Sequence, residues 1–471
     1  MIYLLLRAVV VPITVDEYLT LRYFVEHDWI SVLTSWHPDI THASNNHVLN
    51  SILFKLSIAI FGEHDWAIRL HVLAAFIVSF YFVWKILLMF TPSAARLTFY
   101  LGVIFLNPYL LDFFAIARGY ALSIAGWSAA TYFFILYLQK ADIRYLRNTL
   151  IWLFVAFYAN FSAIYFSLLF GAGITIKLYQ NRAMVDLRKH ILLFLSSILI
   201  IAMIIGLPLY RTITSHTTHG GSNSFFQDVV VSYVGCYIHY NHFIGRSHTV
   251  LLDWKYKEIY AVVLIVVWII TNGYSVKLIQ EKGMQIAHYS LIYQCIGIIL
   301  LCCLFFELFH TPYPLNRTTL LFSFPFILSF VVALEAIVKK YASLNYAFVL
   351  IAISILWHFM ICCNLDNTYE WKSEGDGKRV LSYLKTKQEE VNTYKIPTIG
   401  VENWRYPSMA FYGRTTYKDI VKIEWIDVNQ KVAFDYLYVP YDLQDELLSE
   451  YGIEKNFKHG VLLRRLVKAS Q

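Results

Sequence analysis

The stretch that decides the reading runs MIYLLLRAVVVPITV over residues 1–15 and then turns abruptly to Asp16-Glu17. An apolar segment that ends on two adjacent acids is a membrane boundary at which charge is either solvated or put to use. The pair opens a long polar stretch, from Asp16 to about Asn50, that also holds His37, His42, Asn45, Asn46 and His47. A carboxylate in such a place can take a proton from a hydroxyl group.

The rest of the 471 residues follows the same pattern. The chain is 58% hydrophobic, 17% aromatic and only 15% charged, with a mean hydropathy of +0.51. A soluble protein carries about a quarter charged residues. The apolar residues come in long blocks, which reads as a polytopic membrane protein. About eleven spans are expected, near residues 1–15, 66–90, 94–111, 118–138, 146–160, 162–178, 190–210, 258–277, 286–308, 317–338 and 345–363. The fifth and sixth are short and read equally as one long broken helix. The first leads into Asp16 with no small-residue cleavage pattern, so no cleavable signal peptide is expected. The net charge of +7 belongs to loops on one side of a bilayer and does not indicate nucleic acid. Of the six cysteines, Cys295, Cys302, Cys303, Cys362 and Cys363 lie in apolar runs. No CxxC pair exists, which argues against a disulfide framework or a cysteine zinc site.

Lysine and arginine set the sides. Lys85 and Arg96; Lys140, Arg144 and Arg147; Lys177, Arg182, Arg188 and Lys189; Lys277 and Lys282; and Lys339 and Lys340 fall in alternate loops, expected to be cytoplasmic. Residues 16–65, 112–117, 211–257, 309–316 and the tail from Asn364 then face outward. Every unusual polar cluster falls on that side. The tail, 364–471, changes character: charge returns and apolar runs shorten. Strands are expected over Ile396–Val401, Phe434–Val439 and Gly460–Arg464, and helices over Lys378–Glu390 and Leu443–Tyr451. The expectation is an all-α polytopic membrane domain, 1–363, followed by a small extracytoplasmic α/β domain, 364–471.

Four constellations stand out. Asp16-Glu17 reads as a solvated loop start, or as a general base (Asp16) with a second carboxylate that orients it or shares a cation. Asn45-Asn46-His47-Val-Leu-Asn50 leads into an amphipathic stretch that carries Lys55. That is either a capped interfacial helix or a set of donors for a phosphate or a sugar hydroxyl. Arg118, beside Gly119 and Tyr120 and following Asn107-Pro108, is a snorkelling anchor or a bidentate phosphate ligand. His310-Thr-Pro312-Tyr313-Pro314-Leu-Asn316-Arg317 directly precedes a span. A cation at a helix N-terminus calls for an anion nearby, and a lipid phosphate would serve. His216, His219, His239, His242 and His248 crowd one loop, but their spacing matches no standard zinc motif.

In this order and on one side, these residues resemble the GT-C superfamily of membrane glycosyltransferases. The resemblance is to the branch with the protein O-mannosyltransferases and the lipid A aminoarabinose transferases. That family has an acidic pair in its first outer loop, as Asp16-Glu17 here. Asn46-His47-Val48-Leu49-Asn50, Lys55-Leu56, Phe61-Gly62 and Trp66-Ala67-Ile68-Arg69-Leu70 stand where the family has its histidine-proline, lysine-leucine, phenylalanine-glycine and arginine-leucine stretch. Asn107-Pro108 and Arg118-Gly119-Tyr120-Ala121-Leu122 stand for its asparagine-proline and arginine-proline-tyrosine. Arg317 with Pro325 resembles its late outer arginine. The likeness covers residues 10–140 well and 305–330 loosely. Val48-Leu49 and Gly119 replace family prolines.

The resemblance implies a donor of polyprenyl-phosphate-linked sugar, used at the outer face in a single inverting displacement. The acceptor would be a lipid, a glycan or a protein. Asp16, with Glu17 beside it, would be catalytic. His47, Asn50, Lys55, Arg118, Tyr120 and Arg317 would bind substrate. No Gly-rich phosphate loop is present, no cofactor is required, and a divalent cation is compatible with the scheme. The compact loops, with no eukaryotic luminal repeat domain among them, favour a bacterial inner membrane. Two other classes work on the same lipids. A flippase or transporter would want polar groups at the bilayer midplane, whereas charge here avoids the span centres. An O-antigen ligase or polymerase would want a large outer loop with late basic residues, for which 211–257 is a weak candidate.

Overall fold

The computed structural model describes residues 1–36, 46–182, 186–214, 220–238, 254–391, 396–426 and 434–466. Eight helices among them are long and apolar enough to cross a membrane: Asp65–Leu88, Gly119–Lys140, Phe161–Gln180, Leu187–Thr214, Tyr256–Leu278, Lys282–Phe309, Asn316–Lys340 and Ala342–Cys362. The other three of the eleven expected spans are shorter helices, with local causes. Residues 1–15 form only Ile2–Val10, 9 residues, because Val11 turns extended ahead of Pro12. Residues 94–111 break into Ala94–Phe105 and Pro108–Phe113 at Asn107, whose side chain caps the second helix by accepting from Leu110 N–H at 3.1 Å. Ile143–Ala159 has 17 residues, against the ~20 a crossing needs. It ends where Asn160 turns extended and accepts from Ser162 N–H at 3.0 Å.

The chain forms two compact units. One gathers Met1–His27, Phe54–Leu70 and Asn364–Gln471; the other gathers Asp28–Leu53 and His71–Cys363.

In the second unit the Gly119–Lys140 helix is the most enclosed. Its Gly126 lies against the backbone of Ala156, where an added Cβ would stand 2.6 Å from the amide nitrogen, and Ser123 Oγ donates to Ala156 O at 2.9 Å. Small residues let two apolar helices meet this closely. Trp127 is fully buried and donates its indole N–H to Gln294 Oε1 at 2.8 Å. The Leu320–Lys340 helix has two chemically different ends. Glu335, near its C-terminus, accepts from Arg96 Nε and Tyr100 OH, both at 2.8 Å. Lys339 Nζ there donates to Phe90 O at 2.5 Å. Arg96 and Lys339 therefore share one end. Arg317 lies just before the first turn, about 30 Å away along 21 residues at ~1.5 Å each.

In the first unit a five-stranded sheet comprises β1 (Thr398–Glu402), β2 (Lys422–Ile426), β3 (Tyr436–Val439), β4 (Tyr451–Asn456) and β5 (Val461–Arg465), ordered β2-β1-β3-β5-β4. The β2-β1-β3 side is parallel and the β3-β5-β4 side antiparallel. Phe434, Leu437, Val439, Tyr451, Val461 and Leu463 pack into one core. The expected strands at β1, β3 and β5 are present, as is the Gly377–Val391 helix. The helix expected over Leu443–Tyr451 shrinks to Gln444–Leu447, and β2 and β4 were not anticipated. Both are edge strands with few buried residues, so neither carries the apolar run that marks a central strand. The first residues of the chain pack into this unit. Arg7 donates to Asn364 O at 2.6 Å and Asn367 O at 3.1 Å, and Ile13 N–H donates to Tyr412 OH at 2.8 Å.

Candidate functional site

Asp16 and Glu17 occupy the first turn of the Val15–Thr20 helix in the first unit. Thr14 caps it in a capping box: Glu17 N–H donates to Thr14 Oγ1 at 3.3 Å, and Thr14 N–H donates to Glu17 Oε2 at 2.9 Å. Glu17 is also gripped by Arg69, with Nε to Oε1 at 2.8 Å and an Nη2 contact to Oε2 at 2.7 Å. Both side chains are fully buried. The same guanidinium donates to Val11 O at 2.7 Å and Pro12 O at 2.9 Å. Glu17 is thus committed to holding the turn that presents Asp16.

Asp16 is half-buried. A third carboxylate, Glu374, belongs to its surroundings; it comes from the tail and was missed in the sequence. Glu374 is buried and its Oε2 accepts Val15 N–H at 2.8 Å. Burial pushes its carboxyl well above the usual range. The Val15 amide opposes this, the negative charges of Asp16 and Glu17 add to it, and Arg405 offsets part of it. Nothing in the local sequence around Glu374 signals this role, because it depends on a pairing some 360 residues distant. Lys55 also belongs to this unit, where its ammonium caps the end of the Leu21–Val25 turn by donating to Val25 O at 2.6 Å and to His27 O.

The remaining candidates are brought together in the second unit. His47 and Asn50 lie at the start of the Val48–Phe61 helix. His47 is buried, and its Nδ1 lies 2.9 Å from Ala159 O. A carbonyl only accepts, so Nδ1 carries the proton and Nε2 is the open lone pair. Nε2 is buried with no hydrogen-bond partner among the described residues. Asn50 is fully buried; it donates to Ala117 O at 3.0 Å, and its Oδ1 meets His71 Nε2 at 2.8 Å. One helical turn therefore fastens the residue before Arg118 and the residue before Asn160. Asn50 acts here as a clamp, and His71, also missed in the sequence, completes it.

Arg118 is buried at the N-cap of the Gly119–Lys140 helix, where free backbone N–H groups already favour an anion. A Cβ on Gly119 would stand 1.9 Å from Ala159 O and 2.6 Å from His47 Nδ1. Only glycine lets the histidine–carbonyl pair sit against this helix start, which accounts for Gly119 in place of a proline. The Tyr120 ring is tilted against His47 at 5.3 Å and edge-on to Phe113 at 5.0 Å. Arg317 is half-buried in the Asn316–Thr319 turn. That turn is tied down by Asn316 N–H donating to Ser232 Oγ at 3.1 Å, and by paired backbone hydrogen bonds of 2.9 Å between Gly221 and Tyr313. Burial drives the His47 imidazole well below its ordinary pKa; Arg118 lowers it further, the Ala159 carbonyl opposes, and Arg317 again lowers it. Two guanidiniums thus act on one neutral histidine. Asp112 is buried in the same Pro108–Phe113 segment and was not singled out from the sequence.

No protein-family model matches the chain, and no curated protein does. The chain is similar to two solved structures of ArnT from Cupriavidus metallidurans. Against the apo state it is 11% identical with a TM-score of 0.42, covering 98% of this chain and 96% of that one. Against the form bound to undecaprenyl phosphate it is 11% identical with a TM-score of 0.42, covering 100% and 98%. A likeness at that level carries no argument about activity.

His37, His42 and Asn45, and the loop histidines His216, His219, His239, His242 and His248, lie outside the described residues. Among the described residues no three His, Cys, Asp or Glu side chains gather into a metal-holding group.

Proposed function

We propose that this protein is a membrane glycosyltransferase of the GT-C type that moves a sugar from a polyprenyl-phosphate donor to an acceptor hydroxyl at the outer face of a bacterial inner membrane. The observation that carries the proposal is the convergence of Arg118 and Arg317 on a buried, neutral His47 beside a helix N-terminus. A guanidinium fork matches phosphate oxygens, and a helix N-terminus adds backbone donors for the same anion. The apolar helices around it suit a lipid that carries the phosphate.

In the proposed reaction the acceptor oxygen displaces the lipid phosphate at the anomeric carbon, with inversion. The C–O bond to the phosphate breaks as the new glycosidic bond forms. Arg118 and Arg317 stabilise the negative charge gathering on the departing phosphate, a contribution of about 3 kcal/mol for a preorganised donor. Asp16 is the proposed base that takes the acceptor proton. It is favoured over Glu17 because both Glu17 oxygens are held by Arg69 and the cap. The scheme uses no cofactor. The outer-face assignment rests on the alternate loops of lysine and arginine.

Transfer from a set of radiolabelled polyprenyl-phosphate sugars, measured in membranes, tests the reading. Wild type should transfer, and Asp16→Asn should not while still binding donor. Undiminished transfer by Asp16→Asn would remove Asp16 as base. Movement of lipid-linked sugar across the bilayer without transfer would replace the enzyme by a flippase.

A further inference from the structure

A cavity of about 300 Å³ lies within the first unit, lined by Tyr18, Arg22, Tyr406, Ala410, Arg414 and Ile423, with Gly413 and Val421 completing it. That volume is at the small end of ligand sites. Its wall has a readable origin. Tyr406, Ala410, Gly413 and Arg414 recur at i, i+4, i+7 and i+8 along the Tyr406–Thr415 helix, so they share one face. The two small residues in the middle leave the hollow, and the large ones at its ends rim it. Tyr18 and Arg22 close the other side, and the Tyr18 and Tyr406 phenols are near enough to influence one another.

The charges in this wall are balanced. Arg22 pairs with Glu26, and Arg414 pairs with both Glu26 and Glu63, the latter at 3.0 Å. Two guanidiniums thus face two carboxylates, which disfavours a phosphate. What remains is two phenol rings, planar polar groups and an aliphatic floor of Val421 and Ile423. Ring faces take the C–H face of a sugar, and the planar donors and acceptors take its hydroxyls.

We propose that this cavity is a binding subsite for a neutral sugar unit of a glycan-bearing acceptor. The inference rests on the glycosyltransferase reading, and it names the acceptor class which that reading leaves open.

The test is binding of the full-length, detergent-purified protein to an array of neutral, phosphorylated and carboxylated oligosaccharides. Wild type, Ala410→Trp, which fills the hollow, and Arg22→Gln, at an exposed position, are compared, with folding checked by thermal melting. Neutral oligosaccharides should be retained by wild type, bind at least tenfold more weakly to Ala410→Trp, and lose severalfold in Arg22→Gln. Retention of acidic oligosaccharides only, no retention of neutral ones, or neutral binding that survives both substitutions would overturn the proposal. Should Ala410→Trp not fold, Arg22→Gln decides alone: unchanged neutral binding overturns it and weakened binding supports it. Polyprenyl-phosphate binding, measured on the same wild-type preparation, separates the two readings. Its absence counts against the donor chemistry and leaves the glycan result standing.

Discussion

The acidic turn at Asp16-Glu17 and the basic cluster of His47, Arg118 and Arg317 handle charge in opposite ways. In the turn, a buried carboxylate is matched by a buried guanidinium at 2.7 Å and by a backbone cap. In the cluster, two positive groups bear on the same histidine, and the fold keeps that histidine neutral. Balanced charge builds structure. Guanidiniums gathered beside a neutral imidazole at a helix N-terminus suit a phosphate. The difference separates Glu17, which holds the backbone, from Arg118 and Arg317, proposed to hold a ligand. It also separates Glu17 from its neighbour Asp16, as the Thr14-x-x-Glu17 capping spacing does in the sequence.

The largest effect that sharpens this contrast is on the turn. Glu17→Gln leaves Arg69 charged and buried without its carboxylate, which costs about 3–5 kcal/mol. Thermal unfolding in detergent should show it as a large drop in midpoint. Asp16→Asn keeps the side chain's size and an accepting oxygen, and should cost less than about 1 kcal/mol. Equal losses for the two would erase the distinction.

Gly119→Ala comes next. The added carbon must displace a backbone carbonyl 1.9 Å away, with an expected loss of about 3 kcal/mol. Melting should fall, and any surviving protein should show a perturbed His47 imidazole resonance. A neutral Gly119→Ala would mean that the His47–Ala159 clamp does not set the cluster.

The smallest effect is on pH dependence. The His47 pKa is lowered from the ordinary ~6.5, so the unfolded chain takes up a proton that the folded chain refuses. This cost is absent above about pH 6.5. Stability then falls as the pH drops towards the lowered value. His47→Gln should flatten the fall in melting temperature between pH 7 and pH 5. An unchanged slope would assign the sensitivity to another group.

How far the sequence reaches depends on whether a role is local. Among the described residues the apolar blocks form eight helices of spanning length, because about twenty consecutive apolar residues carry their own signal. The three shortened ones end at Val11-Pro12, Asn107 and Asn160, where capping chemistry overrides hydropathy. Arg118, His47 and Arg317 were visible as polar intrusions at helix starts, and the structure brings them to bear on one another. Asn50 is expected as a substrate ligand, and the structure uses its amide on Ala117 O and His71. Lys55 is expected in the substrate-binding set, and its ammonium caps the carbonyls of Val25 and His27. Glu374 and the cavity wall at Tyr406–Arg414 were invisible, because each matters only through partners hundreds of residues away.

The most direct test of the account is equilibrium binding of undecaprenyl phosphate to the purified protein, with Arg118→Ala and Arg317→Ala measured beside wild type. Each guanidinium makes charge-assisted hydrogen bonds of about 1.5–3 kcal/mol. Affinity should therefore fall roughly tenfold to a hundredfold in each variant that still folds. Wild-type affinity in both folded variants would contradict the assignment of this cluster to the lipid phosphate.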